Sequence, residues 1–79
     1  MTNKQIQNNL KECRNKTGLT QQQVAEKLEF KSTNRICRWE KGKAYPSIPN
    51  LFKLGQIYGV AVEEFYEGVI QNIKDEALK

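Results

Sequence analysis

Apolar residues recur at helical spacing along almost the whole chain, and the gaps between recurrences are polar or carry Gly and Pro. Ile6, Leu10 and Cys13 stand at i, i+4 and i+7, which predicts a first helix from about Lys4 to Lys16, ended by Thr17-Gly18. Thr20 followed three residues later by Gln23 is a capping-box pattern. It predicts a second helix over about Gln21 to Glu29, with Val24, Ala25 and Leu28 on one face. After a polar break, Ile36 and Trp39 supply the inner face of a third helix over about Thr33 to Lys41. Gly42 stands where a helix end wants a residue with positive φ. Ser47 is the expected cap of a fourth helix, and Pro49 is acceptable there because the first turn needs no N–H from it. Leu51, Leu54, Ile57 and Tyr58 form its stripe, and Gly59 stops it. Val62, Phe65 and Tyr66 predict a fifth, short helix whose cap position holds Ala61, a poor cap, so fraying is expected there. Val69, Ile70, Ile73 and Ala77 fit a sixth helix on the same body, a dimerisation element, or a half-ordered tail. The expected fold is all-α, a compact bundle of five helices with the sixth left open.

The pair of short helices between Leu19 and Gly42, LTQQQVAEKLEFKSTNRICRWEKG, cannot bury both its faces alone and needs helices around it. Its second helix carries the basic side chains. That is the arrangement a DNA-reading helix-turn-helix requires. The segment resembles the Cro and lambda-repressor type (XRE) family of helix-turn-helix regulators. The residues that carry the resemblance are Leu19-Thr20-Gln21, Ala25, Leu28, Ile36, Trp39, Glu40, Lys41 and Gly42, then Pro46-Ser47, Leu51, Leu54 and Gly59-Val60. It covers about residues 6 to 67 and implies a lambda-repressor-like domain over 1–67, with its helix-turn-helix at 20–42 and a tail over 68–79. Two departures stand out. Seven residues separate Leu28 from Ile36 where the family commonly has six, and Glu29 holds the turn position usually given to Gly. The extra residue lengthens the turn or the start of the third helix, so the register of Lys31 to Arg35 departs from the family's, while Ile36 to Gly42 align.

Composition narrows the function. Seventy-nine residues make one domain with a small core. No apolar run is long enough for a membrane span and no signal-peptide pattern opens the chain, so a soluble cytoplasmic protein is expected. Cys13 and Cys37 occur in a chain without histidine, which excludes zinc spacing and predicts free thiols. No catalytic constellation of Ser/His/Asp, Cys/His or a phosphate-cradling Gly-rich loop occurs, so neither an enzyme nor a cofactor is expected. The net charge of +4 is unevenly spread: residues 1–43 hold ten Lys or Arg against four acids, and residues 44–79 hold three against five. A basic half that contains the helix-turn-helix suits a phosphate-facing surface.

On the third helix, Asn34 and Lys41 point nearly opposite Ile36 and Trp39, with Cys37 and Arg38 flanking and Arg35 nearer the buried boundary. The resemblance puts the exposed N-terminal half of this helix in the major groove, making Thr33, Asn34 and Arg38 the base-reading candidates, with Arg35 a further DNA-contact candidate on the same helix. An Asn amide can pair with an adenine edge and an Arg fork with guanine O6 and N7. The family match also implies a phosphate contact by the side chain and N–H of Gln21 at a helix start. Lys31, Lys41 and Lys43 are candidate phosphate grips. By the same resemblance, Arg14 and Glu40 are expected to form a buried ion pair between the first and third helices, and Trp39 to be core. The function implied is sequence-specific binding of double-stranded DNA as a homodimeric transcriptional regulator, most readily a repressor. The rival reading is an antitoxin-like module that neutralises a partner protein through Val69 to Leu78.

Overall fold

The computed structural model describes residues 5–77, and these form five α-helices and one 3-10 turn with no strand among them. The helices are α1 (Leu10–Thr17), α2 (Gln21–Lys27), α3 (Asn34–Glu40), α4 (Ile48–Tyr58) and α5 (Glu67–Ala77), with the 3-10 turn (Val62–Tyr66) between the last two. The core is one cluster of Leu10, Cys13, Val24, Ala25, Leu28, Ile36, Trp39, Leu54, Tyr58, Phe65 and Tyr66. Every element except α5 contributes a buried residue to it.

The first helix is shorter than its apolar spacing predicts. Ile6 is not helical; residues 5–9 run as a non-helical strap, and α1 begins at Leu10. Hydrogen bonding explains the difference. The Ile6 N–H donates to the Gly42 carbonyl at 2.8 Å and the Asn9 N–H to the Phe65 carbonyl at 2.8 Å, so these donors are spent outside any helix. Asn8 Oδ1 then accepts the Leu10 N–H at 3.0 Å, capping α1 from two residues upstream. The expected start at Lys4 lies outside the described residues.

The helix-turn-helix is built by local chemistry. At the start of α2, Thr20 Oγ1 accepts the Gln23 N–H at 3.1 Å and Gln23 Oε1 accepts the Thr20 N–H at 2.9 Å, a complete capping box. At its end the Phe30 N–H reaches the Ala25 carbonyl at 2.8 Å and the Glu29 N–H the Glu26 carbonyl at 3.1 Å. This is the Schellman pattern, and it needs a left-handed residue at Glu29, whose φ is 62°. A side chain with Cβ is strained there. The end of α3 repeats the pattern with Gly42, φ 73°. Gly42 is constrained twice, since a Cβ would also collide with the backbone of Ile6 in the strap.

Ser47 caps α4 by accepting the Asn50 N–H at 3.3 Å. The segment predicted as a short fifth α-helix is a 3-10 turn instead. Ala61 has no oxygen to cap with, so only half a capping box forms, in which Glu64 Oε2 accepts the Ala61 N–H at 3.1 Å. The turn runs without a break into α5, so a separate sixth α-helix is absent; the tail stripe and the fifth helical segment form one arm. On α5 Val69 and Ile70 are half-buried and Ile73 and Ala77 are exposed, while the expected continuation to Leu78 and Lys79 lies outside the described residues.

Candidate nucleic-acid interface

The inner side of α3 is fixed first. Ile36 and Trp39 are buried, and Trp39 meets the half-buried Phe30 edge-on, with ring centroids 5.8 Å apart. Glu40, the last residue of α3, is the hub of a polar cluster. Its side chain is 4% exposed and faces Arg14 of α1, 10% exposed, with Arg14 Nε donating to Glu40 Oε2 at 2.7 Å. Arg14 Nη2 donates to Glu40 Oε1 at 3.1 Å, so the pair is bidentate. Arg14 Nη1 donates to the Leu19 carbonyl at 3.0 Å, and Gln21 Nε2 of α2 donates to Glu40 Oε1 at 2.9 Å. One carboxylate thus ties α1, α2 and α3 together. The hydrogen bond to Glu40 holds the Arg14 guanidinium more firmly protonated than a free one, against the desolvation that opposes it.

With that side anchored, the opposite side of α3 is turned outward. Asn34, Arg35, Arg38 and Lys41 are exposed, and so are Lys31 before the helix and Lys43 after it. Thr33 and Cys37 are half-buried at the margins. Lys31, Arg35, Arg38, Lys41 and Lys43 therefore give α3 and its two flanks five exposed cations. Arg35, expected nearer the buried boundary, has an exposed side chain whose guanidinium carbon lies 4.8 Å from the centroid of the half-buried Phe30 ring. Phe30, in the turn before α3, thus touches both Arg35 and Trp39 of that helix. Gln21 is half-buried with its side-chain amide given to Glu40. The capping box uses the Thr20 and Gln23 N–H groups, which leaves the Gln21 and Gln22 N–H groups as those at the start of α2 with no partner inside the helix.

Three features escaped the sequence. The Gln21–Glu40 link could have been suspected only from the spacing of a polar residue beside a predicted buried acid. Phe30 sits in a turn, where periodicity carries no information, although a large aromatic in a polar break is itself a signal. The third is an apolar patch on α4: Ile48 and Phe52, one turn apart, are 71% and 57% exposed. Phe52 forms one wall of a groove of about 460 Å³ whose other lining residues are Gly55, Gln56, Gly59, Val60, Ala61 and Val62. Both cysteines are free, and burial pushes the Cys13 thiol above its ordinary pKa. No helix among the described residues is long and apolar enough to cross a membrane.

A profile of the helix-turn-helix family matches residues 10–65. Over 59 residues the chain is 36% identical to the HTH-type transcriptional activator BcrR of Enterococcus faecalis, a match that covers 75% of this chain and 28% of that protein. It is 38% identical over 61 residues to an uncharacterized HTH-type transcriptional regulator, MJ0272, of Methanocaldococcus jannaschii, covering 77% of this chain and 91% of that one. No solved structure matches the chain at a significant level.

Proposed function

This chain belongs to the Cro and lambda-repressor type helix-turn-helix family, and on that footing we propose that it binds double-stranded DNA sequence-specifically and regulates transcription. The observation that carries the reading is the outer face of α3, a basic surface on a helix whose inner face is locked by Ile36, Trp39 and Glu40. Asn34 and Arg38 read base edges in the major groove, with Thr33 beside them. Lys31, Lys41 and Lys43 neutralise flanking phosphates, and the N–H of Gln21 meets another at the start of α2. Its side chain serves Glu40 instead.

A single α3 spans only a few base pairs, too few to address one site in a genome, so the chain acts as a homodimer. Two copies of α3 then enter successive major grooves about 34 Å apart on a two-fold symmetric operator. The α4 patch suits the contact, because exposed Ile48 and Phe52 stand next to the groove that Phe52 shares with Val60, Ala61 and Val62, an apolar surface a second copy could cover. A two-fold interface joins the same patch on both copies. Bound over a promoter, such a dimer excludes polymerase, which makes repression the proposed sign, and the cytoplasm its place of action.

Selection from a random duplex pool tests this. The expected result is a palindromic motif whose binding weakens by about 0.9 log units per log unit of salt for each phosphate neutralised. Arg38→Ala should relax preference at one base pair per half-site, and Lys43→Ala should weaken all sequences about equally. Phe52→Lys should leave the melting temperature near wild type and shrink the footprint to one half-site. Salt-insensitive binding, or no motif from the pool, would count against DNA reading and for a protein partner.

A further inference from the structure

We propose that Phe30 is a positioning residue that holds Arg35 ready to read a guanine, so that the lengthened turn itself sets one base of the recognition code. The inference rests on the DNA reading proposed above. Arg35 stands in the first turn of α3, the part of the helix that goes deepest into a groove, and its guanidinium lies over the Phe30 ring at 4.8 Å. Phe30 is fixed in turn by its edge contact with buried Trp39 and by its N–H bond to Ala25. The stack is therefore anchored in the core and ends at the surface.

The chemistry of the guanidinium makes this arrangement useful. Stacking uses the flat face of the group, through its charge and the ring's negative π cloud. A guanidinium lying flat on a ring keeps all five N–H donors in its own plane and gives none to the ring, so the edge that matches guanine O6 and N7 stays available. Among the described residues no carboxylate within 4.0 Å engages Arg35; the ion pair there is Arg14–Glu40. A long side chain ordinarily loses much rotamer freedom when it binds a base edge. Here Phe30 has removed part of that freedom in the free protein. Phe30 and Arg35 together line one side of a depression whose other walls are Leu28, Glu29, Lys31 and Ser32, so without the ring the guanidinium loses its support there.

The test uses the full chain in four forms: wild type, Arg35→Lys, Phe30→Leu and Phe30→Tyr. In the free protein, wild type and Phe30→Tyr should show ring-current shifts at the Arg35 Hδ protons that Phe30→Leu abolishes. In random-pool selection, wild type should prefer guanine at one position per half-site. Arg35→Lys should lower that preference by about 5- to 150-fold, the range for a bidentate pair, and leave binding to unrelated duplex within about two-fold, since the charge is kept. Phe30→Leu should lower preference at the same position by a smaller factor, and Phe30→Tyr should restore it. Three results overturn the proposal separately. Absent ring-current shifts in wild type would remove the stack whatever the DNA does. A wild-type motif that neither Arg35→Lys nor Phe30→Leu alters would leave DNA reading intact and refute the role of Arg35. A Phe30→Leu variant weaker on all sequences alike would make Phe30 merely structural. If wild type selects no motif, the DNA reading fails first and takes this inference with it.

Discussion

Deleting either member of the Arg14–Glu40 pair should cripple the fold, while deleting both should scarcely matter. The geometry supplies the magnitude. The Glu40 carboxylate is 4% exposed and accepts three hydrogen bonds, two from Arg14 and one from Gln21. In Arg14→Met it keeps only the Gln21 amide, and a buried charge stripped of its partner costs about 3–5 kcal/mol. A domain of this size has roughly 4–12 kcal/mol of total stability. The single variant should therefore lose about a quarter or more of it, and Glu40→Leu should lose a similar amount by stranding Arg14. In the double variant Arg14→Met/Glu40→Leu no charge is left unpaired, and apolar side chains of similar volume fill the site. Its stability should lie within about 1–2 kcal/mol of wild type, on either side. Urea unfolding followed by the fluorescence of Trp39, the single tryptophan, measures all four corners of the cycle. Strictly additive losses in the double variant would show that the two residues do not act as a pair. Singles that melt with wild type would show that the site is wet enough to solvate either charge alone.

Two other expectations concern stability. Glu29 holds φ 62° at a Schellman position, so Glu29→Gly removes a backbone penalty of about 1–2 kcal/mol against a glycine entropy cost of about 0.5–1 kcal/mol. The melting temperature should rise by a few degrees, and an unchanged or lower value in calorimetry would contradict the strain. Burial, above all, pushes the Tyr66 phenol up to about 12 and the Tyr58 phenol higher still. The unfolded chain gives up both protons near pH 10 while the folded chain keeps them, so stability is lost as pH rises above 10. Each tyrosine contributes at most about 1.4 kcal/mol per pH unit to that loss. A melting temperature unaltered between pH 9.5 and 11.5 would be incompatible with it.

What could be read from the chain divides along a physical line. The capping box, the stop at Gly42 and the buried side of α3 depend on residues three or four apart, and there the sequence states its own geometry. Helix 1 shows the limit. Ile6 has the right spacing to continue the stripe of Leu10 and Cys13, but its N–H is claimed by Gly42, far along the chain, and periodicity cannot see a competitor of that kind. The 3-10 turn was half legible: Ala61 announced a weak start, yet nothing local shows that the turn flows into α5. At the outer face of α3, angular position separated Ile36 from Asn34 and Arg38 and put Arg35 nearer the buried boundary, but it could not show what Arg35 rests on. A side chain that long goes where its partner is, and its partner stands in a turn with no period to read.

The strap of residues 5–9 bears on the order in which the molecule assembles. Its contacts are among the most distant in sequence: Asn8 Nδ2 reaches the Glu40 carbonyl across 32 residues, and Asn9 Nδ2 the Glu64 carbonyl across 55. The helix-turn-helix closes through contacts within two dozen residues, at a small loss of chain entropy. The strap must wait until its anchoring carbonyls around Gly42 and Phe65 are in place, because loop closure costs entropy before any long-range contact repays it. It should therefore behave as a latch, set last on the folding route and lifted early in unfolding. Its amides should exchange with solvent through openings that leave the helices whole. The earliest residues of the chain to leave the ribosome among those described are thus among the last to find their places.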